Sequence, residues 1–163
     1  MKINKTGKFE NALVTILNII DDWNLDWVGL KNLPYDAVGY TPKGKKCVVE
    51  MKFRTKYYET KMIEKKKYDA LMALPADVVK IYYVTDPKGS YWFWLDKIKE
   101  LEVLSKDCPT TTFWNQNKVS KEVYLLDEKD ASIVDYTTPE RIGVWSEYFK
   151  KNNNPNKKIK NKK

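Results

Sequence analysis

The stretch "VVKIYYVTD" at residues 78 to 86 constrains the fold more than any other part of the chain. Side chains on a strand alternate between two faces, and here both faces are mainly apolar. Such a strand is central to a sheet that is covered on both sides. After the turn "DPKGS" comes "YWFWL" at 91 to 95, a second strand built from aromatic and aliphatic residues. Upstream, the spacing predicts a helix over 7 to 21, with Phe9, Leu13, Ile16 and Ile20 on one face and Thr6 as its N-cap. A short strand at 25 to 31 precedes a hairpin with strands near 35 to 41 and 46 to 53, turning at Gly44. Thr60 caps a helix over 61 to 74 that Pro75 ends. Downstream, the pattern reads as a short helix near 96 to 103, a loop over 107 to 119, a strand at "KEVYLLD", and a last helix near 139 to 150 capped by Thr138. This order gives an α/β domain with a central mixed β-sheet flanked by helices.

Three charges in the hairpin conflict with that frame. Asp36 heads its first strand, while Glu50 and Lys52 lie inside the second, "CVVEMKF". Burying any of them without a partner costs several kcal/mol. Glu50 and Lys52 share one face, and the "TPKGK" turn brings Asp36 back beside them. An amphipathic strand with a solvated charged face would explain an isolated pair of this kind. Here Val49, Met51 and Phe53 make the opposite face apolar, Val48 shares the face of the charges, and Ala37 and Val38 put apolar groups on both sides of the first strand. The strands are therefore read as interior. Two adjacent carboxylates repel one another unless a cation lies between them. A hard divalent ion, Mg2+ or Mn2+, suits such an oxygen donor set. A neighbouring lysine can orient or deprotonate an attacking water and offset the charge that develops on a phosphate.

Composition narrows the chemistry. The chain of 163 residues contains no histidine, which removes histidine general bases, serine–histidine triads and histidine-ligated metals together. Cys47 and Cys108 stand in unrelated contexts, and Cys47, within "CVVE", reads as a buried reduced thiol. No apolar run is long enough to span a membrane and "MKINKTGKFE" lacks a secretory core, so one cytoplasmic domain is expected. The formal charge of +8 is unevenly spread. The last fourteen residues hold seven lysines and no acid, and without them the chain has twenty-three basic against twenty-two acidic residues. Residues 43 to 67 alone carry ten basic and three acidic side chains. A focused basic patch on an otherwise acidic body suits a polyanionic partner. A lysine-rich composition bias is the alternative source of the tail. The residues 150 to 163 read as a disordered basic tail, leaving 1 to 149 as the folded domain.

Pro34-Tyr35-Asp36, followed by Glu50-Met51-Lys52, resembles the PD-(D/E)XK nuclease superfamily, in particular its small resolvase-like or phage-type endonucleases. The resemblance spans residues 7 to 85 and implies a restriction-endonuclease-like core. It implies catalytic roles for Asp36, Glu50, Lys52 and Lys67, and metal binding by Glu10, Asp36, Glu50 and Met51. In the helix after the acid-x-Lys strand, Lys67 falls in the stripe of Ile63, Ala70 and Leu74. Glu64 and Tyr68 are spaced like a glutamine–tyrosine pair of RecB-like members, so either Glu64 or Lys67 fills the helix role. Lys43, Lys45, Arg54, Lys56, Lys65 and Lys66 are the expected nucleic-acid contacts. The implied activity is Mg2+-dependent hydrolysis of DNA, branched or duplex, by a homodimer. The alternative is a nuclease-fold protein that binds nucleic acid without cutting it. "YWFWL" is open to three readings: a doubly covered core strand, a dimer face, or a platform for unpaired bases.

Overall fold

The computed structural model describes residues 4–109 and 118–152 of the chain. Helix α1 (Lys5–Ile20) leads into β1 (Asn24–Trp27), β2 (Ala37–Tyr40) and β3 (Lys46–Phe53). The chain then forms β4 (Thr60–Glu64), α2 (Lys65–Met72), β5 (Val79–Asp86) and β6 (Gly89–Trp94). It ends with β7 (Val103–Pro109), β8 (Lys118–Asp127), β9 (Ile133–Asp135) and α3 (Pro139–Asn152). Six strands form the main sheet in the order β1-β2-β3-β5-β6-β9, and β4-β8-β7 form a second, smaller one. The main sheet is mixed: β3 and β5 run parallel, joined by the β4–α2 crossover, and its other neighbours pair antiparallel.

As its composition requires, β5 lies inside the sheet, buried on both faces. One face, with Val49, Met51, Ile81 and Tyr83, packs against Leu13, Val14 and Leu17 of α1 and Ile142 of α3. The other, with Val48, Tyr82 and Val84, packs against Leu71 of α2 and Tyr124 and Leu126 of β8. β6 is flanked by β5 and β9, and Tyr91, Trp92 and Phe93 are buried, so "YWFWL" is core rather than a dimer face or a base platform. Both cysteines are buried and free, and burial pushes the Cys47 thiol up to about 12. No helix among the described residues is long and apolar enough to cross a membrane.

Several local expectations give way. Asn4, not Thr6, caps α1, its side-chain oxygen accepting the Gly7 N–H at 2.7 Å. The buried face of α1 is rotated toward Glu10, Leu13, Val14 and Leu17, and Ile20 is exposed. Residues 61 to 64 are strand, not helix, because they pair with β8. That shift changes the helical register of α2: Leu71 is its buried residue, and Ala70 is exposed. β7 replaces the end of the expected short helix and the start of the expected loop, while residues 110 to 117 of that loop lie outside the described residues. Thr138 does cap α3, through the Arg141 N–H at 3.4 Å. α3 continues to Asn152, so the first three residues of the expected tail are helical, and the remainder lies outside the described residues. Gly44, at φ 76°, makes the hairpin turn as expected.

Candidate active site

Antiparallel pairing of β2 with β3 puts the start of one strand beside the end of the other. The ladder extends one step past β2: the Asp36 N–H donates to the Val49 carbonyl at 2.9 Å. In return, the Met51 N–H donates to Asp36 Oδ2 at 2.8 Å, which fixes the carboxylate next to Glu50. Glu10 reaches the same point from α1. Its Oε1 accepts the Trp27 indole N–H at 3.1 Å, and it is only 6 % exposed. Gly29 makes room for this arrangement, since a Cβ there would lie 2.7 Å from Glu10 Oε1 and 2.5 Å from Trp27 Nε1. From α2, the Lys67 ammonium pairs with Glu50 Oε1 at 3.0 Å. The other oxygen of Glu50, Oε2, is buried and has no hydrogen-bond partner.

An orphaned carboxylate oxygen in a nearly closed site is a costly feature. Electrostatics show the same stress. Burial, reinforced by the Asp36 charge, pushes Glu50 up to about 8, although Lys67 opposes the shift. Burial and Asp36 also push Glu10 up to about 7. Burial raises Asp36 as well, against the pull of the Met51 N–H and Lys67. The three acids compete for too little positive charge. Lys52 has the converse problem. Its side chain reaches solvent along one flank, but surrounding protein and then Arg54 hold its ammonium below the usual lysine value. Helix α2 adds a further conflict, opening with Lys65, Lys66 and Lys67 and no acid. Cations at a helix N-terminus are unfavourable by roughly 0.3–1 kcal/mol each. Local rules broken together at one place are the pattern expected of a functional site.

The structure brings Glu10, Asp36, Glu50, Lys52 and Lys67 to one end of the main sheet, with Arg54 beside Lys52, while Lys65 pairs with Asp69 on its own helix. It separates the others. Glu64 ends β4 and pairs with Lys121 of β8 at 3.0 Å, so it is Lys67 that meets Glu50. The Met51 side chain points into the α1 core, leaving only its backbone to the site. Lys43 and Lys45 flank the hairpin turn at the other end of β3, where about 13 Å of strand separates Lys46 from Glu50. Trp27, Gly29 and Lys121 were not legible as site residues. The first two act through a hydrogen bond and a gap, and Lys121 belongs to a sheet the sequence pattern did not reveal.

Oxygen donors of this kind suit a hard divalent ion. Among the described residues, no group of three or more acid, cysteine or histidine side chains is arranged to hold a metal by itself. Magnesium does not require one, since it commonly keeps several waters and uses one or two carboxylates. The orphaned Glu50 Oε2 beside Asp36 fits that mode.

No protein-family model and no curated protein matches the chain. A solved structure does: Hjc of Archaeoglobus fulgidus, a Holliday junction resolvase from an archaeal hyperthermophile. The match has a TM-score of 0.50 at 17 % identity, covering 85 % of this chain and 98 % of that one. The chain shares the fold of that structure. The resemblance carried by Asp36, Glu50 and Lys52 thus agrees with the architecture. The match covers 85 % of this chain, a larger share than the residues 7 to 85 that carried the resemblance.

Proposed function

We propose that the chain is a metal-dependent endonuclease that hydrolyses phosphodiester bonds of DNA, with selectivity for branched or junction substrates. The observation that supports this most is the buried Glu50 carboxylate, with one oxygen on Lys67 and the other without a partner beside Asp36. Asp36 and Glu50 would hold a magnesium or manganese ion, with Glu10 behind them and the Met51 backbone alongside. The ion, when bound, supplies Lewis-acid charge at the scissile phosphate. Lys52 orients the attacking water, takes its proton or offsets charge developing on the phosphate. Lys67 favours the ionised form of Glu50 in the absence of other cations. Arg54, Lys56, Lys65 and Lys66 hold the DNA backbone at this end of the sheet, and Lys43 and Lys45 contact it only where a duplex extends along β3.

Cutting two symmetric strands of a junction calls for two copies of the site. The edge strand β9 exposes Ile133, Val134 and nearby Tyr136, and a second copy would cover these apolar groups. The deciding experiment incubates the protein with Mg2+ and duplex, single-stranded and four-way-junction DNA. Cleavage of the junction in preference to the duplex is expected, and Glu50→Ala should abolish it while leaving binding intact. Wild-type cutting by Glu50→Ala would remove this site from the mechanism. Tight binding without cleavage in any divalent metal would favour a non-cleaving protein on the same fold.

A further inference from the structure

After Phe53, the last residue of β3, the chain crosses to the second sheet through residues 54–59. Two of these residues are held in unusual ways. The Tyr58 carbonyl accepts from the ammonium of Lys61, a lysine only 3 % exposed. That ammonium also pairs with buried Asp86 at 2.9 Å and lies 4.4 Å and 4.1 Å from the ring centroids of Tyr57 and Tyr91. The Tyr57 hydroxyl donates to the Glu128 carboxylate, its two oxygens at 3.0 and 3.1 Å. The Lys88 ammonium, from the β5–β6 turn, lies 3.6 Å from the Tyr57 ring centroid. A connection of this length is ordinarily among the looser parts of a domain. Here a buried ion pair and two tyrosines fix it.

The fixed connection presents the Tyr58 ring to solvent, 58 % exposed. Lys56, two residues before it, and Lys88, whose ammonium lies over the Tyr57 ring, are exposed, as is Glu59 after it, and Arg54 is half-buried beside Lys52. A lone exposed tyrosine needs no explanation. A tyrosine whose own carbonyl is anchored by a buried lysine, on a connection that starts beside Lys52 and carries an exposed lysine, is a pre-organised contact. Aromatic rings among backbone-tracking cations are what unpaired nucleic acid requires, because every base offers a face to stack on.

We propose that residues 54–59 and Lys88 form a platform for an unpaired DNA strand at the edge of the active site, with Tyr58 stacking on a base and Lys56 and Lys88 meeting its phosphates. This rests on the nuclease reading and specifies its substrate: duplex entering the site with a single-stranded arm diverging over Tyr58. The platform's role is selection, since it lies beyond the groups that touch the scissile phosphate.

The test is equilibrium binding of the full chain to an oligothymidine strand, a blunt duplex and the same duplex with one splayed end. Tyr58→Ala should weaken binding to the single strand and the splayed duplex by about five- to a hundredfold, the range of one lost base stack. Blunt-duplex affinity should stay within about twofold, and Tyr58→Phe should restore the lost affinity. Lys56→Gln and Lys88→Gln should each reduce the salt slope on the splayed duplex by about one. Equal losses on all three DNAs, or none, would overturn the platform. Cleavage is scored separately. A chain that cuts but whose splayed-end preference ignores Tyr58 keeps its nuclease assignment and loses this one. A chain that prefers splayed ends through Tyr58 but never cuts does the reverse.

Discussion

At the residue scale, the hairpin charges behave as a unit whose members want different things. Lys52 and Arg54 lie two residues apart, and their roles separate on kinetics. Lys52→Met should lower the single-turnover cleavage rate by about a hundredfold or more, the range for a positioned proton-transfer or electrostatic group. Arg54→Met should mainly weaken binding, and raising protein concentration should rescue it. The same rescue for both variants would make Lys52 one more phosphate contact. Glu50 carries a pH signature. Burial and the Asp36 charge raise its pKa from the ordinary 4.5 to about 8, so the folded state holds a proton that the unfolded chain releases. Metal-free stability should therefore fall as pH rises from about 4.5 to about 8, and level off outside that window. Glu50→Gln should raise the melting temperature at pH 8 and have little effect at pH 4, as followed by thermal unfolding in chelator. Mg2+ should oppose the same loss at pH 8, because an ion bound only to the folded state stabilises it.

At the element scale, what was legible in the sequence is what depends on alternation. β3 and β5 announce themselves because a doubly covered strand must be apolar on both faces, and Asp36, Glu50 and Lys52 stand out against that background. β4 does not. "TKMIEKKKYDAL" has apolar residues at helical spacing, and only pairing with β8, more than fifty residues away, makes its first part a strand. β7 and β9 fail for the same reason: their partners, not their own residues, make them strands. The structure brings Asp36 beside Glu50 and pairs Glu50 with Lys67, and what supports these groups was not legible in the sequence. Nothing local in Trp27 or Gly29 says that a carboxylate will sit against them. The pair Lys61–Asp86, which ties β4 to β5 across the two sheets, was likewise hidden. Its removal is a test of that tie. Lys61→Met leaves Asp86 buried with one donor lost and should destabilise the chain by about 3–5 kcal/mol in urea titration. Lys61→Met with Asp86→Asn should recover a large part of the loss, because no uncompensated charge remains.

At the scale of the whole molecule, charge and shape divide the labour. The C-terminal lysines act through counterions: removing residues 153–163 deletes five of them, so affinity for DNA should drop and its dependence on salt should flatten, with unfolding unchanged. An unaltered slope in salt-titrated binding would make those lysines passengers. The proposed dimer contact on β9 would act through shape, and Val134→Lys should shift the chain toward monomer in sedimentation while each copy keeps its fold. The parallel pairing of β3 with β5 has a further consequence, for the order in which the proposed site assembles. Every acid and lysine assigned to the chemistry lies between residues 10 and 67, yet β3 gains its inner neighbour only from residues 79 to 86. During synthesis, those side chains leave the ribosome before the strand that locks Glu50 opposite Tyr82 has been made. A long-range parallel contact is slow to close. The nascent chain thus carries all the residues of the proposed site for some time before that site is assembled, which happens when β5 docks.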